Sequence, residues 1–213
     1  KSLIESQNNF SNKHFIFKLF NSFEQFFETS SLYCRDSAYV SPSLAVAHPN
    51  VKSEFEISSQ WISTCAGIFK KSLFDKYCFP NQFITYSNNE YLFFSYKLYK
   101  NEEGQMIYTS KAKYRDVQTK EGRLNVIPLI FQIEVNDYFI FIRLFDINIK
   151  NLFIFAKSRI GHLIFNLLSL ISRKSFSINN FMLVIFSFFY PLLNIKSIIK
   201  GDLTFYERRF YRY

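Results

Sequence analysis

Glycine is scarce in this chain: five in 213 residues, with no G-x-G-x-x-G and no G-x-x-x-x-G-K-[ST]. Neither of the glycine-rich phosphate cradles is therefore present. Cysteine is scarce too. Cys34, Cys65 and Cys78 are widely spaced and odd in number, no C-x-x-C occurs, and His14, His48 and His162 stand at metal-ligand spacing from none of them. That pattern reads as reduced structural thiols of a cytosolic setting. No apolar run reaches the ~18 uninterrupted residues of a spanning helix. A charged n-region followed by an apolar h-region is also missing, so no signal peptide is read. The first residue is Lys1 and not Met, and the expectation is a piece of something longer.

What fills the chain is apolar and aromatic. Hydrophobic residues make up 48%, aromatics 20%, and Phe alone contributes 28 residues. This excludes a disordered protein and supplies a real core for one domain, or one and a half. The net charge of +9 is unevenly placed. Residues 1–146 hold 16 Lys and Arg against 15 Asp and Glu, whereas residues 147–213 hold 10 against 2. The basic third is also the most apolar. Its long aliphatic and Phe-rich runs suit an anionic membrane surface better than nucleic acid.

Periodicity divides the chain further. Residues 15–27 carry a broad helical stripe. Residues 39–50, with two prolines, read as a loop or an extended crossing. In residues 51–57 a mostly apolar set alternates with Lys52, Glu54 and Glu56, as in a half-buried strand. Ile68, Phe69, Leu73, Phe74 and Tyr77 have helical spacing, ended by Pro80. Residues 90–100 read as a helix, 101–104 as a turn and 105–114 as a strand. Strand, helix, strand, helix points to an α/β fold over residues 1–123. The remainder, 124–213, reads as a basic, apolar helical tail with clusters at 129–145, 162–171 and 181–193. These fit amphipathic helices on or partly in a bilayer, with a spanning hairpin, or helices packed on the first part or on a partner, as alternatives. Residues 178–195 come nearest to a span.

Within this pattern Glu90 is the only charged residue between Asn81 and Tyr96. It opens a helix that follows an Asn-rich loop. The segment from Trp61 to Arg123 resembles the C-terminal half of a family 2 inverting glycosyltransferase domain. The resemblance rests on "WISTCAGIFKKSLFDKYCF", on "FITYSNNEYLFFSYKLYKN" with Glu90 and Lys97-Leu98, on "GQMIYTSKAKYRD" and on "KEGRL". It implies an incomplete GT-A fold, related to the Rossmann type, with a nucleotide-sugar donor and a divalent metal, Mg or Mn. The implied acceptor is a bacterial surface glycan or a lipid-linked one, and the implied location is the cytoplasmic face of the membrane. Glu90 becomes the candidate catalytic residue, and Trp61, Gly67, Tyr91, Lys97 and Arg123 the candidate substrate-binding residues.

The departures matter as much. The family's Glu-Asp pair provides a general base to remove the proton of a poorly nucleophilic sugar hydroxyl. Here the Asp position is Tyr91, and a phenol with a pKa near ~10 is a poor base at neutral pH. Glu90 lies one residue away, which on a helix is a rotation of about 100°. Asp116 stands about where the family often has His. No D-x-D occurs anywhere, so the donor diphosphate has no evident metal partner in this chain. Each candidate has a plainer reading: Glu90 as a carboxylate favoured by the helix dipole, Trp61 as a core aromatic, Lys97 and Arg123 as solvated charges, Gly67 as a loop turn. The expectation is a glycosyltransferase-like protein that is a fragment, half of a split enzyme or a decayed copy. The rival is a non-catalytic protein of the membrane surface. RNA binding through the basic tail is a weaker third.

Overall fold

The structure is a computed structural model, and it describes residues 21–29, 32–34, 38–49, 55–62, 67–83, 89–101, 106–109, 111, 126–171 and 177–206. The described fold is mixed α/β and mostly helical. Its strands are β1 (Leu32–Cys34), β2 (Ala47–Pro49), β3 (Glu56–Ser58) and β4 (Ile107–Thr109). Its main helices are α1 (Glu90–Asn101), α2 (Val126–Leu144), α3 (Ile149–Ile171), α4 (Ile178–Leu193) and α5 (Ile195–Lys200). Residues 21–27 are also helical.

Among the described residues the strands form two small sheets. β1 pairs with β2 in parallel, with Leu32 opposite Ala47, and β3 pairs with β4 antiparallel, with Ile57 opposite Tyr108. Single bridges join Ala38 to Ser59 and Val40 to Val46, so residues 40–46 turn back on themselves. The alternation read for residues 51–57 holds where it is described: Glu56 is exposed and Ile57 is half-buried.

The helix expected over residues 68–77 is replaced by a single 3-10 turn, Lys71–Leu73. The reason is tertiary. Phe69, Phe74 and Phe79 all gather on the Phe94 ring of α1, with centroids at 5.6, 5.6 and 4.3 Å. Residues five apart point about 140° from one another on an α-helix, so one helix cannot bring all three to a single ring. Aromatic stacking overrides a local spacing that is only weakly helical.

α2 packs against α4, α3 also packs against α4, and α1 and α5 rest on α2. One core joins Trp61, Leu92 and Phe93 to Phe131, Val135, Phe139, Ile140 and Ile198. α3, at 23 residues, is long and apolar enough to be membrane-associated. The expectation that residues 178–195 come nearest to a span is corrected here, because α4 stops after 16 residues, and Asn194 accepts the chain into α5. α3 meanwhile extends back to Ile149 because Asn148 caps it: its Oδ1 accepts the Asn151 N–H at 2.9 Å.

Gly161 brings α3 against the end of the 21–27 helix. A Cβ there would lie 2.4 Å from Phe27 Cβ and 2.6 Å from Thr29 Cγ2. Phe27 Cβ sits beside its own backbone and cannot rotate away. Gly161→Ala should therefore destabilise the fold by about 1–3 kcal/mol, the range for overpacked cores. Urea unfolding checks this; an unchanged midpoint would mean that the two segments do not meet in this way.

Candidate functional site

A cavity of about 320 Å³ opens where α1 begins, between α2, α3, residues 28–29 and the 43–46 turn. Its wall includes Glu28, Leu44 and Asn89. These are the three non-glycine residues with positive φ among those described, at 55°, 69° and 70°. Asn tolerates the left-handed region, but Leu and Glu do so at a cost of order 1–3 kcal/mol each. Such conformations persist only where the surroundings over-determine them. Here the surroundings are polar ties. The Glu28 carboxylate accepts the Ser41 hydroxyl, accepts the Ser43 hydroxyl at 2.8 Å and lies 3.7 Å from Lys157 Nζ. Ser158 of α3 donates within reach of the Glu28 carbonyl at 3.3 Å and the Ser43 carbonyl at 3.5 Å.

The inner wall is ionic. Arg159 of α3 is 1% exposed. Its guanidinium donates to Asp137 and lies 3.7 Å from Glu134, both on α2. Glu134 and Asp137 are three residues apart and so share one face of that helix. Asn89 donates to the other Asp137 oxygen at 2.9 Å, which ties the residue before α1 to α2. Burial works against the Arg159 charge, but Asp137 and Glu134 outweigh it. Burial pushes the Glu134 carboxyl up to about 7, with Arg159 opposing and Asp137 reinforcing the rise. Burial, then the Arg159 charge, holds the His162 imidazole well below the usual histidine range. It is accordingly neutral near pH 7.

The sequence candidates fall around this cavity unevenly. Tyr91 lines it, two residues after Asn89 in the chain. Glu90, between them, is not in the wall. It is half-buried, and burial raises its carboxyl above the usual range. Trp61 is 3% exposed. Its indole N–H donates to the Ala47 carbonyl at 3.1 Å, and its ring lies 6.4 Å from Tyr91 and 4.8 Å from His48. Lys97 is exposed, two turns along α1, with its ammonium 6.0 Å from the Phe93 ring centre. Gly67 lies in the segment before the 3-10 turn and away from the cavity wall. Arg123 and Asp116 lie outside the described residues.

The Arg159, Asp137 and Glu134 group was not singled out from the sequence. A signal for it exists: "QIEVND" and "FAKSRIGH" each place charges inside an apolar helical run. Charges so placed are paired or functional. Among the described residues no three His, Cys, Asp or Glu side chains group as metal ligands. Asp137 and Glu134 are already engaged by Arg159. These residues do not fit the divalent metal that the resemblance implies, and no step is derived through it.

Glu134 and His162 act on stability with opposite signs. A carboxyl raised from 4.5 to about 7 contributes stability that is present below pH 4.5 and lost as pH rises through 7. An imidazole held below 6.5 costs stability in acid that is regained as pH rises towards 6.5. Tyr138, Asp137 and Arg159 also face Glu134. Glu134→Gln should therefore gain stability relative to the parent between pH 4.5 and 7, by up to a few kcal/mol at ~1.4 kcal/mol per pKa unit. His162→Gln should gain relative to the parent towards acid. Urea unfolding across this range checks both, and parallel curves for parent and variant would refute the assignment. Compared with protein-family models, with curated proteins and with solved structures, the chain matches none.

Proposed function

We propose that this chain is the acceptor-side part of a glycosyltransferase-like protein of GT-A type, similar to family 2. The reaction would be inverting transfer of a sugar from a nucleotide donor to a surface-glycan or lipid-linked acceptor. The observation that carries the reading is the segment Asn89-Glu90-Tyr91. It opens α1 beside a cavity with both polar and apolar walls, with Asn89 held at positive φ and Glu90 half-buried. A carboxylate raised by burial is a better base than an exposed one at neutral pH. Glu90 would take the proton of the acceptor hydroxyl as its oxygen bonds to the anomeric carbon and the bond to the diphosphate breaks. The donor site and the D-x-D carboxylates would lie on another part of the protein.

Calorimetric titration with nucleotide sugars plus Mn²⁺, and separately with oligosaccharide acceptors, tests this. The expected outcome is binding of an acceptor and of no donor. Transfer should appear once a D-x-D-bearing half is supplied. Glu90→Gln should then lower turnover by about 10²-fold or more, with acceptor affinity nearly unchanged. Absence of acceptor binding and of complemented transfer would sink the reading.

A second observation favours the membrane-surface reading. Ile149, Phe153 and Ile171 of α3 and Ile178, Met182 and Leu193 of α4 are exposed. Lys150, Lys196 and Lys200 are exposed on the same helices and α5. Apolar side chains beside lysines suit adsorption to anionic lipid at the cytoplasmic face. Sedimentation with phosphatidylglycerol-containing vesicles should exceed that with phosphatidylcholine alone and fall with salt. Phe153→Glu should weaken it roughly tenfold, about 1.4 kcal/mol. Equal binding to both vesicle types would argue against it.

A further inference from the structure

We infer that the cavity at the start of α1 is a pocket for one neutral sugar residue, and that it discriminates against phosphate and acidic sugars. The inference rests on the glycosyltransferase-like reading for its biological sense, but its physical basis is separate.

Charge decides the class. Every ionic group in the wall already has an opposite partner: Arg159 with Asp137 and Glu134, and Glu28 with Lys157. His162 is neutral. Among the described residues no surplus cation faces the cavity, while two carboxylates, Glu28 and Asp137, do. An anion would enter against them and would have to be desolvated with no counter-charge. A cation would have to displace Arg159 or Lys157 from its carboxylate. Neutral ligands meet neither cost.

Unmet hydrogen bonds decide the chemistry. Arg159 Nε and Thr29 Oγ1 are buried and without a partner among the described residues, and both residues belong to the wall. A buried donor left unmade costs about 1–3 kcal/mol, so these atoms call for something in the cavity. Neutral His162 offers one donor and one acceptor, and Asn166 offers both kinds. A ligand that both donates and accepts, repeatedly and without charge, is a polyol. The remaining wall is apolar and aromatic, with Phe165, Tyr91 and Ile130. It suits the C–H faces of a pyranose better than it suits a cluster of water. The volume, about 320 Å³, is at the lower end of the ~300–1,000 Å³ of ligand pockets. That bounds the occupant to one residue of a glycan rather than a nucleotide sugar.

The test uses the full chain with ¹³C-labelled histidine, His162→Gln identifying the His162 ring signal. Neutral hexopyranoses, glucuronic acid and inorganic phosphate are titrated in turn. The expected result is a saturable shift of the His162 signal with at least one neutral hexopyranose and none with the two anions. Asn166→Ala, at the wall but outside the ionic group, should weaken the sugar at least tenfold, with unchanged unfolding. Glu90→Gln should leave the His162 response intact even where it abolishes transfer. A response to phosphate or glucuronate equal to or above that of every hexopyranose overturns the inference, as does no response at all. If sugar binds here yet no acceptor binding or transfer is found, the pocket stands and the enzymatic reading falls. If acceptors bind without moving His162, the pocket falls and the enzymatic reading stands.

Discussion

The buried Arg159 guanidinium is the constraint around which the rest of this fold is arranged. A cation in a site 1% exposed cannot be left unmatched. Removing one side of such a buried pair typically costs about 3–5 kcal/mol. Matching it takes Asp137 and Glu134 from α2, which fixes the rotation of α2 against α3. Asp137 in turn holds Asn89, which fixes where α1 starts. Ser158, next in the chain, reaches the backbone of Glu28 and Ser43. Two adjacent side chains on α3, Arg159 and Ser158, thus set the position of α3 relative to four other segments. The apolar core between α2 and α4 supplies far more burial, but apolar contact is non-directional and would tolerate other rotations.

The same arrangement explains why strain collects at one place. Glu28, Leu44 and Asn89 take up positive φ because each belongs to a segment pinned at the Arg159 wall, directly or through serines. A turn at residues 41–45 closed by Leu44 N–H to the Ser41 carbonyl at 2.8 Å has no room to relax while Ser43 also binds Glu28. The result is a cavity whose walls come from distant parts of the chain and whose charges cancel locally.

How much of this was legible follows from the range of the forces involved. α1 was readable from its first residue, because the Asn-rich loop, the acidic first turn and the apolar spacing are local signals. The helices of the basic third were readable as apolar clusters, though α3 begins 13 residues before the cluster that announced it; Lys150, Asn151, Lys157 and Arg159 hid its first turns. The helix at residues 68–77 was misread because three phenylalanines answer to one ring on α1 and not to each other. The ionic wall was invisible as a unit: Glu134 and Arg159 are far apart in sequence, and nothing local says which charge in an apolar run will meet which. Tyr91 reached the cavity and Glu90 did not, a distinction of one helical step that only the position of α2 and α3 decides.

α3 serves two masters along its length. Arg159 and Ser158 face inward to the ionic wall, while Ile149 and Phe153 face outward. An inserted or deleted residue between Phe153 and Ser158 would turn one face by about 100° relative to the other. Either the guanidinium would leave its carboxylates or the apolar stripe would rotate off its own side. A length change in the first half of α3 is therefore intolerable. The count of residues from Phe153 to Gly161 is thus as much a part of the fold as their identities.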